Sequence, residues 1–296
     1  MANLDDLLEK TSRTFAVSIP MLPEPTRRHV GLAYLLFRIA DTLEDAVRWP
    51  RDRRLEGLDA FARLLAARGA EVEIARRWLE DPPVSHAGYL ELLRETPGVM
   101  EAYWSIPEPA REAIRRDLSR TVMGMGAFVR LGDERGNLRL RSLRELRDYC
   151  YAVAGIVGEM LTELFLLDAA ALAPQAARLR RRSRFFGEAL QLVNILKDSD
   201  SDATEGRVYL PRTVDRARVF ALARRDLEVA AAYVRILQDA GAPDGFVAFT
   251  GSPAVLARAS LARIESSAPG AKLTRAEVAA LMERMFEALA GGRRLL

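Results

Sequence analysis

An apolar, helix-like run from Val30 to Phe37 leads straight into Arg38-Ile-Ala-Asp-Thr-Leu-Glu-Asp45. Asp41 and Asp45 stand four apart, so on a helix their carboxylates project from one face, a turn apart. Like charges placed this way repel; they must face water or meet a cation. The same arithmetic returns in Gln191-Leu-Val-Asn-Ile-Leu-Lys-Asp-Ser-Asp-Ser-Asp202, where Asn194, Asp198 and Asp202 share a four-residue spacing at the end of another apolar helix. Two facing helices that each end in such a ladder make a site for hard divalent cations. Mg²⁺ takes a few carboxylate oxygens, keeps waters and completes its shell with substrate phosphates. The pattern predicts a Mg²⁺–diphosphate site. The opposing reading, for either pair alone, is an exposed acidic face that serves solubility.

Helical periodicity dominates the chain from end to end, with no convincing alternating strand. Expected helices are Leu4–Glu9, a long one after Pro20, Pro23 and Pro25 that Trp49-Pro50 closes, Arg51–Arg68 and Glu71–Leu79. Asp81-Pro-Pro83 is a break. Short helices follow at Tyr89–Leu93 and Gly98–Trp104, then one from Pro107 to about Val129. Ser142 and Glu145 have capping-box spacing and open a helix to about Leu172. The next helix starts at Pro174 and ends near Asp202. Gly206–Pro211 reads as an extended connector, and the last helices are Arg216–Ala240, Pro253–Ser267 and Thr274–Leu289. No repeat and no long linker divides the 296 residues, so residues 1–296 read as a single all-α domain.

Composition narrows the function classes. A formal charge of only +3 gives little support for nucleic-acid binding. The basic run Arg178–Arg184 reads as a solvated helix face, or as a contact with anionic lipid. One cysteine, Cys150, excludes an internal disulfide, and with His29 and His86 it is too little for a zinc constellation. The first residues show no basic segment followed by an apolar core, and no apolar run is expected to reach the about 20 residues that span a bilayer. A cytoplasmic protein, peripheral to a membrane at most, is the expectation.

A diphosphate also needs cations. Arg13 and Arg38 are candidates, with Thr14 as a hydroxyl donor, because a guanidinium fork suits phosphate oxygens. The alternative is that these arginines only neutralise Asp41, Glu44 and Asp45. Lys197 is a further candidate, and Arg207 and Tyr209 in the connector could lid the site. In Tyr149-Cys-Tyr-Ala-Val-Ala-Gly-Ile-Val-Gly158, Ala154 and Gly158 share a face. Close helix packing would explain the small residues; so would a channel floor left clear for a long apolar chain. Met123-Gly-Met-Gly126 is a second small-residue patch. Phe15, Phe37, Phe128 and Leu161 are candidate channel walls or plain core.

Ser12-Arg-Thr-Phe15, Arg38–Asp45, Tyr149–Gly158, and Gln191–Asp202 followed by Gly206-Arg-Val-Tyr-Leu-Pro211 together resemble the squalene/phytoene synthase family, in order and in spacing, over roughly residues 10–290. The resemblance implies an all-helical isoprenoid-synthase bundle with a central apolar cavity. It implies head-to-head joining of two allylic prenyl diphosphates on a cluster of Mg²⁺ ions. Asp41, Asp45, Asp198 and Asp202 match the family's metal-binding aspartates, and Gln191 and Asn194 match the polar residues before the second set. Arg13, Thr14 and Arg38 match diphosphate contacts, and Tyr149 matches a tyrosine near the reacting carbons. Two positions depart from the usual second motif: Lys197 stands where arginine is usual, and Ser201 where glutamate is usual, with an acid displaced to Asp200.

The expected reaction joins two farnesyl diphosphates, by way of a cyclopropyl diphosphate, to squalene or dehydrosqualene. Phytoene synthesis from two geranylgeranyl diphosphates is the near alternative; a cyclase-like reaction of one diphosphate and a non-catalytic, lipid-binding relative are the distant ones. No glycine-rich turn for NADPH is visible, so reduction stays open.

Overall fold

In the computed structural model, which describes residues 3–12, 15–46, 48–266 and 270–296, leucine-rich stretches with a 3.6-residue period become helices that bury one face. The chain divides into two compact units, Met1–Gly136 and Asn137–Leu296.

The first unit holds α1 (Leu4–Thr11), α2 (Phe15–Ser18), α3 (Thr26–Glu44), α4 (Arg51–Ala66), α5 (Glu71–Glu80), α6 (Ala87–Arg94), α7 (Thr96–Ser105) and α8 (Glu108–Leu131). Helix α3 is its centre: Leu32, Leu35, Leu36, Ile39 and Leu43 are fully buried, and α1, α4, α6, α7 and α8 all pack on it. At about 25 cal/mol per Å² such a stripe is the main force holding the unit together. Helix α3 ends at Glu44, earlier than the Trp49-Pro50 boundary suggests.

The second unit holds β1 (Leu138–Arg139), α9 (Leu143–Cys150), a π-helical turn (Tyr151–Gly155), α10 (Ile156–Asp168), a 3₁₀ segment (Ala170–Gln175), α11 (Ala176–Thr204), β2 (Arg207–Val208), α12 (Arg216–Asp239), α13 (Asp244–Ser266) and α14 (Arg275–Ala290). Helix α11 is central here, flanked by α10, α12 and α13. Ser142 caps α9 by accepting from the Glu145 N–H at 3.1 Å, but the Glu145 carboxylate accepts from Arg141 N–H, so the reciprocal bond lands one residue early. At α14 the full capping box forms between Thr274 and Glu277.

Three expectations need correction. The connector does pair: β1 and β2 run parallel, with Leu138 opposite Arg207 and Arg139 opposite Val208. Helix α13 begins well before Pro253 and carries that proline inside it. An internal proline costs about 3 kcal/mol, which the burial of Phe246, Val247, Ala248 and Phe249 offsets; Phe246 stacks on Phe165 of α10 at 4.0 Å. Finally, Leu143–Asp168 is long and apolar enough to cross a membrane by length and composition, although 61% of its most apolar window is buried inside the protein. Burial on all sides makes a core helix as apolar as a spanning one.

Candidate active site

Acids at a helix C-terminus oppose the helix dipole, which favours cations there. The ends of α3 and α11 both break this rule, and such local conflicts mark functional positions. Each end is described within its own unit.

Asp41 lies in the last turn of α3, and Asp45 is the capping residue, its N–H donating to the Asp41 carbonyl at 2.9 Å. What stops the helix is Arg54, buried at the start of α4, whose Nη2 donates to the Glu44 carbonyl. It satisfies an orphan carbonyl and sets a positive charge at the negative end of the dipole. Gly136 passes close by with φ +83°; a Cβ there would fall 2.5 Å from Arg54 Nη1, so the loop needs glycine both for its backbone and for room.

Arg38 pairs with Asp41 through Nη1. Its Nη2 donates to the Tyr34 hydroxyl at 3.3 Å, and its guanidinium lies 5.7 Å and 5.3 Å from the ring centres of Tyr34 and Tyr89. Burial works against the charge, but Asp41 and the two tyrosines outweigh it and hold the guanidinium above its ordinary range. Tyr34 is itself fixed by donating to the Thr11 carbonyl at 3.0 Å. Arg13 and Thr14 lie outside the described residues.

On α11, Asn194, Asp198 and Asp202 stand one turn apart in order, and Gln191 is half-buried one turn before Asn194. Both Asp198 oxygens meet ammonium groups: Oδ2 meets Lys197 at 3.2 Å and Oδ1 meets Lys272 at 3.1 Å. Lys197 also donates to Asn194 Oδ1 at 3.1 Å. Burial pushes the Asp202 carboxyl up, Arg207 opposes this, and Asp198 adds to it. Arg207, on β2, pairs with Glu205. The strand pairing carries the next residue, Tyr209, onto Tyr149: the rings stack at 4.6 Å, and the Tyr149 hydroxyl donates to that of Tyr209 at 3.0 Å. Both tyrosines are buried, at 5% and 9% exposed.

The small residues of the Tyr149 helix have a plain use. A Cβ on Gly158 would fall 2.2 Å from the Ser183 carbonyl oxygen, and one on Gly187 would fall 1.9 Å from that of Ala154. The two helices touch backbone to backbone there. The space beside Gly158 is filled by α11, and the open channel floor expected at that residue is not present there.

Reading the sequence missed four contributors. Arg54 and Lys272 lie 10 and 74 positions from the groups they touch in the chain and follow no periodic pattern. Tyr34 and Tyr89 give no sign of boxing a guanidinium, although Tyr34 stands one turn before Arg38.

Among the described residues no three His, Cys, Asp or Glu side chains form a ready metal cage. The donors that are present suit Mg²⁺ all the same. They are hard oxygens, and this ion is bound by one or two carboxylates plus phosphate and water, without a protein cage. The cations already drawn to Asp41 and Asp198 show how much negative charge these positions carry.

Comparison with known proteins agrees with these motifs. Squalene synthase of Schizosaccharomyces pombe is 30% identical over 70% of this chain and 43% of its own length. Squalene synthase ERG9 of Saccharomyces cerevisiae is 27% identical over 71% of this chain and 45% of its own. The chain thus spans less than half the length of the curated relatives it matches. A solved complex of TcSQS with the ligand E5700 superposes on 95% of this chain and 84% of that one, at 25% identity and a TM-score of 0.76. The family model for squalene/phytoene synthase matches residues 8–219, a span that takes in both acidic ladders and the Tyr149 helix. With all-helical architecture, motifs and match in agreement, this chain belongs to the squalene/phytoene synthase family.

Proposed function

We propose that the protein is a Mg²⁺-dependent prenyltransferase that joins two farnesyl diphosphates head to head to a thirty-carbon product, squalene or dehydrosqualene. The carrying observation is the pair of acid-bearing helix ends, Asp41/Asp45 and Asn194/Asp198/Asp202, each set against basic side chains of its own unit. The relatives given above are squalene synthases, which favours fifteen-carbon over twenty-carbon substrates.

These aspartates with Asn194 hold Mg²⁺, which when bound supplies charge neutralisation for a departing diphosphate. Arg38, half-buried and oriented by Tyr34, Tyr89 and Asp41, is the guanidinium placed to meet phosphate oxygens. Arg13, Thr14 and Arg207 add donors. Lys197 and Lys272, which neutralise Asp198, would be further donors to phosphate. Tyr149, held against Tyr209, is the side chain assigned as polar neighbour of the allylic cation. The reaction needs water excluded, since water would trap the cation. Phytoene formation from two twenty-carbon diphosphates and cyclisation of a single diphosphate are the competing readings.

Incubating the protein with Mg²⁺ and either farnesyl or geranylgeranyl diphosphate, with and without NADPH, separates them. A C30 hydrocarbon from the first substrate is expected. A C40 product, or a cyclic C15 product, overturns the substrate assignment. Squalene that appears only with NADPH identifies the reductant, and a conjugated triene that is still the product when NADPH is present shows that no reduction follows.

A further inference from the structure

Glu188 sits in the middle of α11, only 1% exposed, where an apolar residue would ordinarily stand. Two arginines meet it. Arg147 of α9 approaches Oε2 at 3.2 Å, and Arg184, one turn earlier on α11, approaches Oε1 at 2.7 Å. Arg184 also lies 4.5 Å from the ring centre of Tyr151, the first residue of the π-helical turn. The Tyr151 hydroxyl reaches the Glu159 carboxylate at 3.3 Å, beyond the turn. Gly155 ends the turn, and the space a Cβ would take there is shared by the Tyr151 ring at 2.7 Å and by Glu188 Oε1 at 3.3 Å. Glu188 is therefore linked to the helix before the π turn through Arg147 and to the turn's start through Arg184, and it lies beside the turn's end at Gly155.

A π turn admits one extra residue, and so rotates the helix before it by about 100° relative to the helix after it. Downstream, the helix is locked by the backbone contact of Gly158 with Ser183. Upstream comes Tyr149, stacked on Tyr209. Relaxation of the turn to regular α-helix would swing Tyr149 off that partner.

We propose that Glu188 is a positioning residue: through Arg147, Arg184 and Tyr151 it clamps the π turn and thereby aims Tyr149 at the reacting carbons. This rests on the proposed prenyl transfer for its catalytic consequence, but not for its structural one. A buried charge held by two guanidiniums suits this task because it can satisfy donors from two helices at once, which an apolar side chain cannot.

The test is Glu188→Gln, with Arg147→Gln as a second variant that keeps the Arg184 arm should the first fail to fold. Hydrogen exchange of the amides in 147–158 is expected to speed up at least tenfold, while exchange in α13 stays unchanged. With farnesyl diphosphate and Mg²⁺, kcat should fall at least tenfold and KM stay within twofold. In a double-mutant cycle, Glu188→Gln should have no further effect on kcat once Tyr149 is Phe. Unchanged exchange across the turn, additive effects of the two substitutions, or a raised KM with kcat intact would each overturn the proposal. Should the wild-type protein turn over no prenyl diphosphate, the reaction assignment falls while exchange still decides the clamp.

Discussion

At the end of α3 the cation beside the acid is an arginine held between two tyrosine rings, and a second arginine, buried, caps the helix. At the end of α11 the cations beside Asp198 are two lysines, one of them 66% exposed, and the last carbonyls are met by the backbone of Glu205 and Gly206 and by the Thr204 hydroxyl. Both ends carry acids against the helix dipole, yet one is built in advance and the other is loosely neutralised. Coulomb attraction strengthens as water is excluded, so the buried Arg54 binds firmly, whereas the exposed pairing of Lys272 with Asp198 contributes about 0–1 kcal/mol. Under the proposed function, the first end would hold a phosphate clamp and the second would give up its lysines for a metal.

Five substitutions would sharpen or break this contrast. The largest effect is expected where the two ends should behave alike: Asp41→Ala and Asp198→Ala should each lower turnover by at least about two to three orders of magnitude, followed by product formation at saturating Mg²⁺. If only one of them does, the shared metal role fails. Next comes Arg54→Ala, which strips a charged donor from the Glu44 carbonyl and should destabilise the protein by about 1.5–3 kcal/mol in urea unfolding. Arg38→Lys keeps the charge but loses the fork and the ring contacts; about 1 kcal/mol of stability should go, together with a larger fall in diphosphate affinity by calorimetry. Smallest is Lys272→Ala. Its unfolding free energy should stay within about 0.5 kcal/mol of wild type, while Mg²⁺ activation shifts to lower concentration because a competitor for Asp198 is gone. A loss of stability as large as that of Arg54→Ala would erase the distinction between the ends.

Within the second unit, periodicity located helices well because most lie amphipathic on a core, and it failed where burial overrode local preference. Pro253 looked like a helix start, but the apolar residues before it, Phe246 to Phe249, carry α13 straight through. The Tyr149 helix looked regular, since a π turn leaves no mark on composition; its glycines were visible, but not which side each was pressed against. Ladder spacing exposed Asp41, Asp45, Asn194, Asp198 and Asp202, because i,i+4 geometry is a local property of any helix.

Residue order alone was enough for the all-helical class, the family, the two acidic helix ends and the tyrosine motif, since each depends on spacing within one element or on contiguous motifs. Folding settled which cation serves which acid, that α3 stops at Glu44 beside Arg54, and that Tyr149 stacks on Tyr209. Arg54, Lys272 and Glu188 act on groups in other helices, and long-range partners are set by how helices cross, which no local spacing encodes.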